Sequence, residues 1–340
     1  MRTRGTLVGA GYFAQFQAEA WSRISSVDLV AVADAIPGKA RAFAQRFGIS
    51  RNYESVDEML DREKPAFLDI ATRPESHVGL VRMAAERGVH VICQKPMAPT
   101  WEECVAMVEV CERAKVRLLI HENWRWQPWY REAKRLLEAG AVGHVFQLSF
   151  FWRTGDGRGP EPYAVQPYFR QMPRLLVYET LVHILDTFRF LAGEMATVYC
   201  QSRRVNPVIT GEDQSLMQVT FKSGALGLID ANRISGPVPA PVAMGTMSIE
   251  GDGAALKISG DGRLWISESG GPERPVPFAP PAIGYKGDSV YATQTHLLEC
   301  LQTARVSESD GRDYLRTIEL VEACYRSVQN GAVVSLERTS

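Results

Sequence analysis

The chain has 340 residues, 45% hydrophobic and 23% charged, with 38 lysines and arginines against 39 aspartates and glutamates. That length suggests two domains and that composition a globular chain with a large core. A formal charge of −1 without a long basic run argues against a nucleic-acid partner. No apolar run approaches the ~18 residues of a membrane span, and the amino terminus passes straight into the first strand with no signal-peptide segment. The expected setting is the cytoplasm, with no membrane association. The six cysteines (Cys93, Cys104, Cys111, Cys200, Cys300 and Cys324) show no ligand spacing, which predicts free thiols rather than disulfides or zinc.

The first strand, Thr6 to Val8, leads into Gly9, Gly11 and Ala14, spaced as G-x-G-x-x-[G/A]. Gly9 permits the turn and Gly11 lets the backbone approach phosphates. Ala14 is small enough for the following helix to pack closely on the strand. The stretch Gly9, Gly11, Tyr12, Phe13 and Ala14 is therefore the expected pyrophosphate cradle at a helix start. Asp34 closes a second apolar strand (29–33) about twenty residues on, where a carboxylate bonds the adenosine ribose hydroxyls and repels a 2′-phosphate. The favoured cofactor is NAD over NADP, and Lys39 would soften that preference. Further strands at 67–71, 89–93 and 116–120 alternate with helices near 38–47, 55–62, 75–87 and 100–114. Thr100, followed by Glu102 and Glu103, is a sound helix start. Residues 1–122 thus read as an α/β Rossmann domain, a parallel sheet wound on both faces.

After Asn123 the pattern changes to a second, α+β domain over 123–340. A helix near 128–139 precedes strands at 143–153, 196–204, 214–222, 225–233, 245–250 and 254–267. A helix at about 175–192 interrupts them, and helices near 287–304 and 312–329 close the chain. Glycine- and proline-rich stretches at 155–162, 235–245 and 269–284 read as loops. Apolar residues at both parities of 214–221 and 225–233 suggest a sheet whose second face is covered by another subunit.

Three segments hold polar residues a plain core would not need. Lys95 ends the strand 89–93 at the edge where open α/β sheets hold ligands. It reads as an acid/base for a substrate hydroxyl or as a surface lysine. On the helix 175–192, Glu179, His183 and Asp186 are spaced to share one stripe. His183 reads as a proton carrier or as a satisfied core histidine. The third segment, His121 to Trp129, concentrates Glu122, Asn123, Trp124, Arg125 and Trp126. Such a mixture binds sugars, with rings on aromatics and hydroxyls on Arg, Asn and Glu, or forms a tryptophan-rich interface. No histidine pair has ligand spacing, so no metal is expected.

These segments together resemble the glucose–fructose oxidoreductase, inositol dehydrogenase and rhizopine catabolism family (Gfo/Idh/MocA) over the whole chain. The resemblance rests on Gly9 to Ala14, on Ala71 to His77, on Gln94-Lys95-Pro96 in place of E-K-P, and on Glu179 to His183 in place of D-x-x-x-H. It implies catalytic roles for Lys95, His183 and Glu179, and places Thr72, Pro74, His77, Gln94 and Asn123 beside the cofactor. It also implies a cis Lys95–Pro96 bond and a large, mostly antiparallel open-faced sheet that pairs subunits as a homodimer or homotetramer. Gln94 keeps an acceptor for ribose hydroxyls while losing the charge, and Glu179 moves its carboxylate by about one bond. The implied activity is NAD-dependent oxidation of a cyclic aldose, such as D-apiose or another pentose, at its anomeric carbon to a lactone. Substrate contacts are expected from Lys95, Glu122, Trp124, Arg125, Trp152, Tyr163, Glu179 and His183. The alternatives are oxidation of a secondary hydroxyl of an inositol or glycoside to a ketone, and a catalytically idle NAD-binding sensor.

Overall fold

A computed structural model describes residues 2–268 and 270–336. From the amino terminus, strands and helices alternate: β1 (Thr3–Val8), α1 (Ala14–Arg23), β2 (Val27–Ala33), α2 (Lys39–Phe47), β3 (Arg51–Tyr53), α3 (Val56–Glu63), β4 (Phe67–Ile70), α4 (His77–Glu86), β5 (His90–Gln94), α5 (Trp101–Arg113) and β6 (Leu118–His121). The strands pair in parallel in the order β3-β2-β1-β4-β5-β6. This doubly wound Rossmann order puts the carboxyl ends of β1 and β4 together at the reversal of strand order. Every residue of β4 and β6 is buried, as a sheet covered on both faces requires. At α5 the Thr100 hydroxyl accepts from Glu103 N at 3.2 Å and Glu103 Oε2 accepts from Thr100 N at 3.1 Å, a reciprocal capping box. The three-residue β3 carries no apolar run by which to be foreseen.

The remaining elements are α6 (Pro128–Glu138), β7 (Val145–Arg153), a π-helical turn (Leu176–Leu181) continuing into α7 (Val182–Ala192), β8 (Met195–Arg203), β9 (Gln214–Phe221), β10 (Leu226–Asn232), β11 (Gly245–Gly251), β12 (Ala254–Ile258), β13 (Leu264–Glu268), β14 (Arg274–Pro275), α8 (Ser289–Thr303), α9 (Gly311–Asn330) and β15 (Val334–Ser335). Nine strands form one sheet in the order β14-β13-β12-β11-β7-β10-β9-β8-β15. Among the described residues only β7 and β10 pair in parallel. The single strand expected over 254–267 is two, because Gly262 at φ +80° closes a turn in which Ser259 N donates to Arg263 O at 2.9 Å. Alternation is plain in β9: Ser215, Met217, Val219 and Phe221 are buried, while Leu216 is 45% exposed. Leu216 and Phe151 flank Asp230 in register on the outer face, and Leu226 is exposed there too.

The chain divides into two compact units, one ending at Asn123 and joined by Ile283–Ile318, the other formed by Trp124–Ala282 and the chain from Glu319. The sequence alone puts 283–318 in the second domain; the segment instead packs with the Rossmann sheet. Leu297 and Leu298 of α8 are buried with Trp21, Ile92 and Leu119. Burying a leucine fully contributes about 1.5–3 kcal/mol relative to leaving it in water. Ser309 also bonds Ile120 in both directions, its Oγ donating to Ile120 O at 2.7 Å and its O accepting from Ile120 N at 2.8 Å. All six cysteines are buried free thiols. Among the described residues no helix is long and apolar enough to cross a membrane.

Candidate active site

In the Rossmann unit the backbone itself forms the site. Gly9 sits at φ +95°, and a Cβ there would lie 2.8 Å from Ala71 O, so only glycine fits between β1 and the loop after β4. A Cβ on Gly11 would meet nothing within 4 Å, which leaves open space over the loop. Ala14 is buried against Leu7 and Val32. No side chain caps α1, so its first N–H groups are left for an anion. Tyr12 is 42% exposed, whereas the Phe13 ring packs edge-on against His121 and Tyr285. Only the backbone of Phe13 suits a phosphate.

Asp34 is fixed before any ligand arrives. Its Oδ2 accepts from Ala10 N at 2.9 Å and pairs with Lys39 Nζ at 3.2 Å, and its Oδ1 accepts from Ile36 N at 3.0 Å. A carboxylate offers about four acceptor sites, so Oδ1 keeps one for a ribose hydroxyl. The glycine cradle, the uncapped helix start and this oriented carboxylate together fit NAD.

At the end of β5 the Lys95–Pro96 bond is cis. Gln94 is buried, and its Oε1 accepts from Lys95 N at 2.8 Å. That bond fixes the amide orientation, and Nε2 has no partner among the described residues. Gln94 therefore holds a donor in reserve at Nε2, beside the second lone pair of Oε1. His77 is corrected. Its Nδ1 lies 3.0 Å from Met97 O and its Nε2 3.2 Å from Thr72 O, so the buried ring braces the two loops instead of meeting the cofactor. Burial pushes its pKa down, opposed by the bonds to Met97 O and Thr72 O. Thr72 Oγ1 lies 2.6 Å from Ser76 Oγ across the short turn Pro74–Ser76. Asn123 and Glu122 likewise turn inward. Asn123 Nδ2 donates to Ser289 Oγ at 2.9 Å, and buried Glu122 accepts from Tyr314 Oη at 2.8 Å.

In the second unit, side chains hold side chains. The π-helical turn bearing Glu179 starts on Glu212, whose carboxylate accepts from Leu175 N at 3.3 Å, Val177 N at 3.0 Å and Tyr325 Oη at 2.6 Å. Such wide turns recur at functional sites. Glu179 Oε2 accepts from Thr180 Oγ1 at 2.8 Å and lies 3.9 Å from Arg233 Nη1. His183, four residues on, is buried with its ring stacked on Trp124, the centroids 5.0 Å apart.

The Trp124 and Trp152 rings are buried in a stack and not exposed as open platforms. Trp124 lies between His183 and Trp152, whose ring is 5.1 Å away, and both indoles are buried. Arg125 is corrected as well, because its fork is filled by Asp186, with Nε to Oδ2 at 2.7 Å and Nη2 to Oδ1 at 2.6 Å. Tyr163 is buried at φ +60° with Arg233 over its ring at 4.6 Å. Its hydroxyl has no partner among the described residues, and burial pushes its pKa up.

Sequence reasoning missed Arg233, Asp156 and Glu212. Asp156 falls in a loop expected at 155–162 and Arg233 at the end of the strand expected over 225–233, but nothing in either segment marks a partner. Arg233 is buried and paired with Asp156 through Nη2 and Nε. Burial opposes its charge, and Asp156 with Glu179 outweighs that, holding the guanidinium protonated.

Residues 4–122 match the model of the GFO_IDH_MocA oxidoreductase family, NAD-binding Rossmann fold, and residues 130–256 match the GFO/IDH/MocA C-terminal domain. The chain is 36% identical to a D-apiose dehydrogenase of Paraburkholderia graminis, over 99% of this chain and 90% of that protein. It is 33% identical to a D-apiose dehydrogenase of Rhizobium rhizogenes, over 98% and 97% of the two chains. An Agrobacterium radiobacter oxidoreductase solved with NAD+, L-tartaric acid and magnesium superposes with a TM-score of 0.91 at 32% identity, over 98% of each chain. With the cradle at Gly9–Ala14 and the oriented Asp34, these matches make the chain a member of the Gfo/Idh/MocA family of NAD-binding oxidoreductases.

Proposed function

We propose that the protein is a sugar dehydrogenase that oxidises the anomeric carbon of a cyclic aldose, D-apiose or another pentose, to the lactone. The observation that carries this reading is 36% identity to a D-apiose dehydrogenase across nearly the whole chain. In support, the chain has Lys95 and His183 at the positions where the family resemblance expects its proton carriers, with Glu179 in place of the aspartate. Oxidation of a hemiacetal removes a hydride from carbon and a proton from oxygen. When NAD is bound, its nicotinamide C4 takes the hydride, and Gly9, Gly11 and Asp34 are the residues that would hold it. Lys95 takes the hydroxyl proton, and His183 shares that proton work. Glu179 accepts a hydrogen bond from a neighbouring hydroxyl and so orients the ring. Trp124, stacked on His183 and backed by Trp152, supports that imidazole in this reading.

The setting proposed is the cytoplasm. The outer face of the nine-stranded sheet, with Phe151, Leu216 and Leu226 exposed, is proposed to pair subunits as a homodimer or homotetramer. The function is tested by following nicotinamide reduction with NAD, then NADP, against D-apiose, other aldopentoses, aldohexoses and inositols. Turnover of one aldopentose with NAD, with release of a further proton as the lactone hydrolyses, is the expected result. Turnover of an inositol without that second proton would replace the lactone reading by ketone formation. NAD binding without turnover across the panel would mark an idle sensor.

A further inference from the structure

Glu179 stands in a line of contacts that returns to His183 by another route. Arg233 packs against two rings that touch each other, 4.6 Å from the Tyr163 centroid and 5.0 Å from that of Phe169. Asp156 takes two of its nitrogens, Nε at 3.3 Å and Nη2. The third, Nη1, donates to Thr180 Oγ1 at 3.3 Å and lies 3.9 Å from Glu179 Oε2. Thr180 in turn donates to Glu179 Oε2 at 2.8 Å. Asp156 Oδ1 also accepts from Thr154 Oγ1 at 2.8 Å, and Thr154 Oγ1 accepts from Trp152 Nε1 at 3.4 Å. Trp152 stacks on Trp124, and Trp124 on His183. The loop after β7 is therefore linked to Glu179 through Arg233 and to His183 through Trp152 and Trp124.

We propose that Arg233, clamped by Asp156 and the two rings, is the positioning residue that holds Glu179 in place for the sugar, and that the Thr154–Asp156 loop couples that hold to the ring stack under His183. The proposal rests on the reading of Glu179 as a substrate-orienting carboxylate. A planar, always charged fork suits this role, since it satisfies Asp156 on one edge while its remaining nitrogen faces Thr180 and Glu179, an arrangement a lysine ammonium cannot reproduce. Because Thr180 donates to the carboxylate while accepting from Arg233, each bond polarises the next. The Arg233 backbone is pinned as well, its N donating to Asp213 O at 3.0 Å and its O accepting from Gly157 N at 2.9 Å.

The test compares Arg233→Lys and Thr180→Val in the wild-type and Glu179→Gln backgrounds, measuring kcat and KM for the aldose, NAD affinity and thermal unfolding. Arg233→Lys is expected to lower kcat about 30-fold and Thr180→Val about fivefold, with NAD affinity unchanged. In the Glu179→Gln background each should cost less than about twofold more, since the group they position is gone. Equal losses in both backgrounds, beside an impaired Glu179→Gln enzyme, would overturn the proposal and leave Arg233 a purely structural brace. Full activity of Glu179→Gln would instead overturn the reading of Glu179, and the proposal with it. If Arg233→Lys does not fold, Thr180→Val, which removes one hydroxyl at nearly constant volume, decides by the same comparison.

Discussion

The two units place their functional groups by opposite means. In the Rossmann unit the main chain is the instrument: Gly9 turns where a Cβ would strike Ala71 O, Ala10 N and Ile36 N aim Asp34, and Lys95 N holds Gln94. In the sheet unit, side chains from distant segments do this work, with Glu212 capping the π-helical turn, Arg233 facing Glu179 and Trp124 lying under His183. A backbone-built site tolerates little at its glycines and much at its side chains. A side-chain-built site should lose function in steps as each brace is removed, while the fold survives.

The largest effect tests whether the second arrangement serves chemistry at all. His183→Asn should lower kcat about 10³-fold while NAD affinity holds, as general acid–base groups contribute 10² to 10⁴. A loss of stability with the rate per folded enzyme intact would reduce His183 to a core residue. Next, Gly9→Ala should weaken NAD binding at least about 100-fold in a direct titration, because φ +95° and the 2.8 Å approach to Ala71 O leave no room for a methyl. Near-normal binding would show that the loop relaxes and is not fixed by its backbone.

Asp69 is the exception that sharpens the comparison, a side-chain-built bracket inside the first unit. It is buried on β4 and accepts from Gln17 Nε2 at 2.8 Å and Trp21 Nε1 at 2.7 Å. Burial raises its pKa to about 7, with the Trp21 bond opposing. The folded state thus holds this proton more tightly than the unfolded chain, so the stability it contributes is present at low pH and falls as pH rises towards 7, then levels. Between pH 5 and pH 7 the loss is about 2 kcal/mol, because the slope of about 1.4 kcal/mol per pH unit halves as the folded group reaches its midpoint. Chemical denaturation across that range should show it, and Asp69→Asn should flatten the curve; an unchanged slope in the variant would assign the dependence elsewhere.

The same contrast explains what could be read from the chain. Gly9, Gly11, Ala14 and Asp34 were legible because a backbone conformation demands particular residues at fixed spacing, and the spacing survives in one short segment. The parallel sheet followed from apolar runs and intervening helices, though its strand order and the short β3 did not. Asp156, Arg233 and Glu212 were not legible, since Asp156 meets Arg233, Arg233 meets Thr180 and Glu179, and Glu212 meets the start of the π-helical turn, each across 35 to 77 residues of chain. No local pattern encodes a contact between loop, strand and helix. His121 to Trp129 stayed open between two readings for a related reason. Aromatic and charged residues so concentrated suit either a sugar or an interior, and the composition is the same in both. The packing of 283–318 on α1 was hidden because helix periodicity shows that α8 buries one face, not which sheet receives it.

Trp124→Leu probes the stack at smaller amplitude. It should lower kcat about tenfold through loss of His183 orientation, with NAD affinity unchanged, and it will also cost stability because the indole is buried. Unchanged kcat would mean that α7 alone orients His183.

The smallest effect falls where backbone and side chain meet. Gln94 spends one lone pair of Oε1 on Lys95 N and leaves a buried Nε2–H without a partner among the described residues. Ribose hydroxyls approaching from the cofactor can accept from that amide, but a carboxylate would take Lys95 N on one oxygen and a ribose O–H on the other, a charge-assisted bond in place of a neutral one. Bringing a second negative charge into a buried position offsets part of that gain. Gln94→Glu should therefore tighten NAD by only about threefold, read by titration, with kcat nearly constant. A larger gain would show that the backbone leaves the carboxamide badly placed, whereas weaker binding would mean that the orphan donor is already the group the ribose uses.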